Sequence, residues 1–407
     1  MKDIVKKIFT YFGLNVSKLN PENPILKNVY QTDFDKTVLI SYLRAPFLTD
    51  MIYSHTNYTE CKTAADIFNE LGFNVDVIEF TNDDFEINFS NYNVIYGFGY
   101  PLEKAFFSEY AERLIKIMYS TGCNPFFAFN KSAMRVSDFF KRTKILIPQS
   151  SRVGDYFWTF QYISSDLIIA LGNNFVAETF KATNPSVNVL SVNAFYFKTV
   201  DIDVGQKNFK TIKKNFLWFG SSGLLHKGLD IVIDIFSKRN DINLHICGAS
   251  KNERKFFDYY ESIIDSCPNI INHGFVDIFS NSFKEIMQTC GSLIFPSASE
   301  GGAPSVLNVV ANGGLIPIVS ESAGLDFDDI GYVFKDISEE EVSSQIESVL
   351  NLNEEQFIEK AKFCKQWIQA NYSYEMYSAN LKKILNVSLS KKVDGSTNAS
   401  IYISKNI

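Results

Sequence analysis

Cysteine is sparse in this 407-residue chain: six residues, Cys61, Cys123, Cys247, Cys267, Cys290 and Cys364. They form no C-x-x-C pair and no close pairing with histidine, so neither a zinc site nor a disulfide framework is expected, only reduced and mostly buried thiols. Positive charge is also short. With 39 Lys and Arg against 46 Asp and Glu, the net charge is −7, whereas proteins that bind a phosphate backbone carry a basic surface; nucleic acid is therefore not expected as a partner. No apolar run approaches the roughly 18 residues of a spanning helix, and the N-terminus lacks the shape of a signal peptide. A cytoplasmic location is the expectation. No G-x-G-x-x-G opens a strand-helix unit with an acid about 20 residues later, which argues against dinucleotide-dependent redox chemistry. No side chain stands out as a nucleophile, and no second carboxylate pairs with Glu300 in the way hydrolysis across a glycosidic bond requires.

What is present is a globular composition, 46% hydrophobic and 21% charged, in a chain too long for one ordinary core; two domains of about 200 residues are the natural division. Residues 2–12 place Ile4, Ile8, Tyr11 and Phe12 on one helical face with Lys2, Lys6 and Lys7 elsewhere. Such a helix suits an anionic membrane surface and equally suits packing on its own domain, and both readings stay open. A polar arm with Pro21 and Pro24 follows. From Thr37, continuous apolar runs of the kind buried on both faces of a parallel sheet alternate with helical patterns, giving an α/β doubly wound domain. Strands are expected at 37–43, 74–80, 93–99, 114–122 and 166–172. The charged stretch 198–214 reads as a linker, after which strands at 216–219, 242–248, 270–276, 292–297 and 315–320 alternate with helices at 252–265, 279–290, 304–313 and 339–350. An amphipathic segment from Glu354 to Leu385 breaks near Asn371, and the tail from Ser388 lacks a helical pattern.

Two stretches organise the second half. In residues 216–230 (FLWFGSSGLLHKGLD) an apolar strand breaks at Gly220, passes Ser221, Ser222 and Gly223, and reaches Lys227 before a helix. In residues 294–314 (IFPSASEGGAPSVLNVVANGG) a strand is followed by a loop carrying Glu300, Gly301, Gly302 and Ala303, then a helix from Pro304 and Ser305. Ligands of open parallel sheets lie outside the carboxyl ends of the strands, where glycines admit the backbone and helix N-termini face anions. The first loop offers a cation, the second a carboxylate and backbone N–H groups. Each residue also has a plainer reading: Lys227 as a solvated lysine, Glu300 as a helix cap, Asn308 as a polar helix face.

This pattern, a strand ending in Gly-x6-Lys-Gly followed by Ser-Glu-Gly at a later strand end, resembles the donor-binding half of GT-B glycosyltransferases of the family-4 type (glycosyl transferases group 1). The likeness is specific over about 215–386 and looser back to about Thr37. It implies two Rossmann-like domains facing each other across a cleft, with a C-terminal helix crossing back to the first. The boundaries that follow are 1–197 for the acceptor-side domain (1–35 being helix and arm), 198–214 for the linker, 215–370 for the donor domain, 371–387 for the crossover helix and 388–407 for the tail.

The same resemblance implies transfer of a sugar from a nucleotide sugar to a glycan or lipid-linked acceptor, with retention of configuration. No cofactor and no metal are expected. Lys227 and Glu300 would be the catalytic pair, with Gly220, Ser221, Ser222, Gly223, Gly248, Gly301, Gly302, Ala303, Pro304, Ser305 and Asn308 holding the donor. Two positions depart from the family pattern: Ser221 stands where an Arg is usual, and Asn308 stands eight residues after Glu300 where a second Glu is usual. Arg152 and Arg254 are candidates to replace the missing cation, and His55 and His226 are candidate cleft contacts. Acceptor loops are expected at 43–57, 97–104 and 120–135.

Overall fold

The computed structural model describes residues 23–49, 55–150, 158–249, 252–327 and 329–393. The helix expected at 2–12, the candidate Arg152 and the end of the chain from 394 lie outside the described residues. Two six-stranded sheets, each wholly parallel, form the body. The first holds β1 (Lys36–Tyr42), β2 (Phe73–Glu79), β3 (Val94–Gly97), β4 (Ile115–Ser120), β5 (Leu167–Leu171) and β6 (Val189–Val192) in the order β2-β1-β3-β4-β5-β6. The second holds β7 (Asn215–Phe219), β8 (Asn243–Cys247), β9 (Ile270–Gly274), β10 (Ser292–Phe295), β11 (Ile316–Ser320) and β12 (Tyr332–Phe334) in the order β12-β11-β10-β7-β8-β9. Helices cover both faces, so the central strands bury both sides and read as unbroken apolar runs; β5, β7 and β11 are buried at every residue. β6 and β12, outermost in their sheets, lie outside the expected strands because both are short and only partly buried, and so leave no unbroken apolar run.

The arm is fixed to the first sheet. Leu26 and Val77 exchange both backbone hydrogen bonds (2.8 and 2.9 Å) in an antiparallel bridge, and Val29 N donates to Val75 O at 2.9 Å. Buried Asp76 accepts from Lys27 Nζ at 2.7 Å and from the Asn28 N–H at 2.8 Å. The free edge of β2 is thus covered, which is how proteins keep an edge from pairing with another chain.

The supposed linker is largely part of the second domain. Ile202 N donates to Asn312 O, Val204 and Ile212 enter that domain's core, and Lys365 Nζ bonds Asp201 Oδ1 at 2.5 Å and Ile202 O at 2.6 Å. What crosses between domains is only the chain around residues 196–200. At the far end the helix Glu354–Asn371 stops, and Tyr374–Val393 starts after a two-residue break. This second helix lies on the first domain: Tyr377 OH meets Tyr119 OH at 3.0 Å, Tyr374 OH meets Thr63 Oγ1 at 3.0 Å, and Lys382 pairs with Glu70 at 2.8 Å. It runs six residues past the expected end at 387, so 388–393 is helix rather than tail. Leu389, buried against the first domain, extends the apolar face that holds it there. The two crossings touch, Tyr196 N donating to Tyr372 O at 3.2 Å.

Candidate functional site

In the second sheet the strand order reverses between β7 and β10, which pair directly. That switch point is where open α/β sheets leave a crevice beyond their carboxyl ends. The turn after β7 is drawn tight against β8: Gly220 N donates to Cys247 O at 3.1 Å, and a Cβ at Gly248 (φ +81°) would lie 1.8 Å from Gly220 O. Only glycine fits there. Trp218 Nε1 donates to Lys227 O at 3.2 Å and Lys227 N to Gly223 O at 2.8 Å, folding the turn back over its own strand.

This folding carries Lys227 to the loop after β10. Lys227 Nζ bonds Glu300 Oε1 at 2.8 Å, and Ser297 Oγ donates to the same oxygen at 2.8 Å. Nζ also lies 5.1 Å from the centre of the Phe295 ring. Both charged residues are buried, 4% and 8% exposed. Two residues placed 73 apart in the chain are therefore one ion pair at the switch point, in a low-dielectric setting where each strongly fixes the other. Ala303, just before the helix Pro304–Gly313, holds a left-handed backbone (φ +33°) that is uncommon outside glycine, and such conformations persist only where the surroundings enforce them.

The first domain closes on this loop. A Cβ at Gly301 would lie 2.1 Å from Thr121 O, beyond β4, and Cys123 Sγ lies 3.4 Å from Glu300 O. Burial pushes the Cys123 thiol up to about 12, so it is a packing group rather than a nucleophile. Loops from both domains thus meet at the glutamate.

Other candidates are engaged in ways the sequence did not reveal. Ser221 and Ser222 are exposed, but the backbone N–H groups of Gly223 and Leu224 both donate to the carboxylate of Glu253, the latter at 3.1 Å. Glu253, buried at the start of the helix Arg254–Ser266, thus occupies the amide of Gly223, one of the residues expected to hold the donor, and that of Leu224 beside it. Asn308 accepts the Phe197 N–H on its side-chain oxygen at 2.7 Å, and Asn312 accepts those of Thr199 (2.9 Å) and Val200 (3.1 Å) while donating to Phe197 O. The amide that replaces the usual carboxylate thus has its oxygen on the interdomain crossing, a contact added to the ribose contact expected of Asn308. His226 is fully buried, its ring between Ser132 Oγ (3.1 Å) and Ser299 O (2.7 Å), a tie between domains rather than an open cleft contact. His55 is exposed and caps the helix Thr56–Glu70 through Nδ1. Arg254 is exposed at its helix start.

The largest surprise is the helix Pro125–Thr143. It covers much of the expected acceptor loop 120–135, yet its inner face grips the second domain. Arg135 donates through Nε to Leu225 O (3.2 Å) and pairs with buried Asp230 at 2.6 Å; Arg142 pairs with Asp230 at 2.5 Å and with Asp234; Phe139 meets Tyr259 edge-on and Tyr260 at a tilt. Residues one and two positions before Lys227 are held by the other domain.

With this geometry in place, the comparisons are direct. The fold matches sucrose-phosphate synthase from Thermosynechococcus elongatus with a TM-score of 0.62 at 11% identity, over 87% of this chain and 99% of that one. It matches Anabaena HepE in complex with UDP with a TM-score of 0.55 at 12% identity, over 86% and 100%. Two parallel doubly wound domains in this arrangement are the GT-B fold. Residues 203–374, which hold Lys227, Glu300 and Asn308, match the family model of glycosyl transferases group 1, and the second domain is of that type. No curated protein matches the sequence.

Proposed function

We propose that the chain transfers a sugar from a nucleotide-sugar donor to a glycan or lipid-linked acceptor, with retention and without a metal ion, in the synthesis of a cell-surface polysaccharide or glycoconjugate. The reading rests on the Lys227–Glu300 pair at the switch point, inside the segment that matches the group 1 family. A nucleoside diphosphate is already an activated leaving group, so the protein's work is to position two substrates and stabilise charge that builds on the diphosphate. Lys227 is the cation for that charge, and Glu300 accepts hydrogen bonds from donor-sugar hydroxyls. Donor entry parts the pair: Lys227 turns to the phosphates as Glu300 turns to the sugar, each exchanging one partner for another. Because HepE was solved with UDP, UDP-sugars head the donors to test. The proposed location is the cytoplasm, and for residues 2–12 two readings stand side by side, a peripheral contact with the inner face of a membrane and packing on the chain's own domain.

A second reading has its own support. A GT-B protein that binds nucleotide or glycan without turnover, as a subunit or scaffold, is favoured by the self-paired Lys227 and Glu300 and by the Gly223 and Leu224 amides already satisfied by Glu253. Thermal shift with UDP-, GDP-, ADP- and CMP-sugars, followed by assay of nucleotide release with and without EDTA, separates the two. Stabilisation of about 2.7 kcal/mol at 100 times the dissociation constant together with turnover supports the transferase. Stabilisation without turnover on any acceptor supports the silent subunit, and loss of turnover in EDTA refutes the metal-free mechanism.

A further inference from the structure

Glu253 stands where an acid ordinarily serves the helix that follows it, since the N-terminus of Arg254–Ser266 favours a carboxylate. Its side chain makes no cap there. It crosses instead to the turn after β7, where Oε1 accepts the Gly223 N–H and Oε2 accepts the Leu224 N–H at 3.1 Å. The carboxylate is buried, 7% exposed, and among the described residues no lysine or arginine pairs with it. Two successive N–H groups converging on one anion, with Gly223 in the left-handed region at φ +85°, form the concave kind of backbone site that takes phosphate.

We propose that the Glu253 carboxylate is a resident stand-in for phosphate, a gate that a phosphate group of the donor displaces; its part in sugar transfer rests on the transferase reading above. The turn is the one that carries Lys227: Gly223, whose N–H faces Glu253, accepts the Lys227 N–H on its carbonyl at 2.8 Å. Ser221 stands where an arginine is usual, so the groups this turn can offer an anion are Lys227 and the two amides. The chain engages each of them itself, Lys227 with Glu300 and the amides with Glu253. A phosphate dianion makes strong charge-assisted hydrogen bonds to the same donors. Glu253, however, is tethered beside them at high effective concentration, so an anion enters only by outcompeting it. Removing the carboxylate should therefore raise the affinity of this turn for phosphate groups.

The test is calorimetry of the full chain with inorganic pyrophosphate, in wild type, Glu253→Gln, Glu253→Ala and Lys227→Ala. Gln keeps one acceptor oxygen and turns an NH₂ group toward the second N–H, which opens the turn in part, whereas Ala opens it fully. Pyrophosphate should bind on the order of tenfold tighter in Glu253→Ala, with a smaller gain in Glu253→Gln. Melting temperature gives a second readout. Glu253→Ala, with two buried N–H groups left unsatisfied, should melt below wild type in a zwitterionic buffer and regain most of the loss in phosphate, which moves wild type less. A residue that merely braces the turn gives the reverse, weaker pyrophosphate binding and no recovery in phosphate. That result, equal affinity in wild type and both Glu253 variants, or no binding to any of the four proteins overturns the proposal. Weakened binding in Lys227→Ala without a gain in either Glu253 variant removes the gate and leaves the donor site standing. A gain in the Glu253 variants without turnover of any nucleotide sugar supports the gate and removes the transferase reading instead.

Discussion

Breaking the buried ion pair is the sharpest perturbation available. Lys227 Nζ and Glu300 Oε1 are 2.8 Å apart, which at an effective dielectric of 20 corresponds to about 6 kcal/mol of attraction, offset by the loss of hydration of both groups. Removing one partner leaves the other buried and uncompensated, a change that typically costs about 3–5 kcal/mol. Lys227→Ala should therefore lower unfolding stability by about that amount. Lys227→Met/Glu300→Gln, which removes both charges and keeps the volume, should recover more than half of the loss. A double-mutant cycle by urea denaturation reads the coupling directly. The same pair predicts opposite effects on ligand. In Glu300→Gln the ammonium no longer faces a carboxylate, so free nucleoside diphosphate should bind several-fold tighter by calorimetry, while turnover of the sugar donor falls on the order of 100-fold. Additive destabilisation, with coupling under about 0.5 kcal/mol, would refute the pairing; unchanged turnover would return Glu300 to the role of a helix cap.

Two other perturbations follow from the geometry. Asn312→Ala removes the acceptor of two crossing N–H groups and the donor to Phe197 O, and should cost about 2–4 kcal/mol and increase proteolysis between residues 196 and 202; wild-type cleavage and stability would show that the crossing is held otherwise. His245, with Nε2 on Asn215 Oδ1 (2.9 Å) and Nδ1 on His273 Nε2 (3.0 Å), has its ionisation lowered to about 4, first by burial and then by His273. The unfolded chain takes up this proton near 6.5 and the folded chain only near 4, so stability is full above about pH 6.5 and declines as pH falls toward 4, by about 2 kcal/mol after allowance for solvent access. Urea unfolding at pH 7.5 and 4.5 checks this, and His245→Asn should flatten the decline.

The sheet was legible because parallel strands buried on both faces leave long apolar runs: residues 37–43 gave β1 (Lys36–Tyr42) and 315–320 gave β11 (Ile316–Ser320). Lys227 and Glu300 were legible as separate loop residues through the glycines around them, though not as partners, since a fold contact over 73 residues leaves no local trace. The helix Pro125–Thr143 fell within an expected acceptor loop because large apolar side chains lie on its outer side and its inner face mixes Val136 and Phe139 with two arginines and a serine, which blurs the apolar period. Glu253 follows a polar loop and resembles any acid opening a helix. Asn308 was noticed only as a departure from family pattern, and its partner, the Phe197 N–H, is invisible to side-chain reasoning.

The chain passes between its domains twice, and the passages lie side by side at Tyr196 and Tyr372, with the Phe195 and Tyr374 rings 5.5 Å apart. Two adjacent tethers define an axis. They permit swinging about the line that joins them and resist both twisting and separation. Separate proteins would lose on the order of 4–15 kcal/mol of translational and rotational freedom on meeting, whereas here the opposing faces stay at high effective concentration however often the cleft opens. Were the cleft to open for a substrate, the loop at Thr121 would have one short arc along which to return to Gly301.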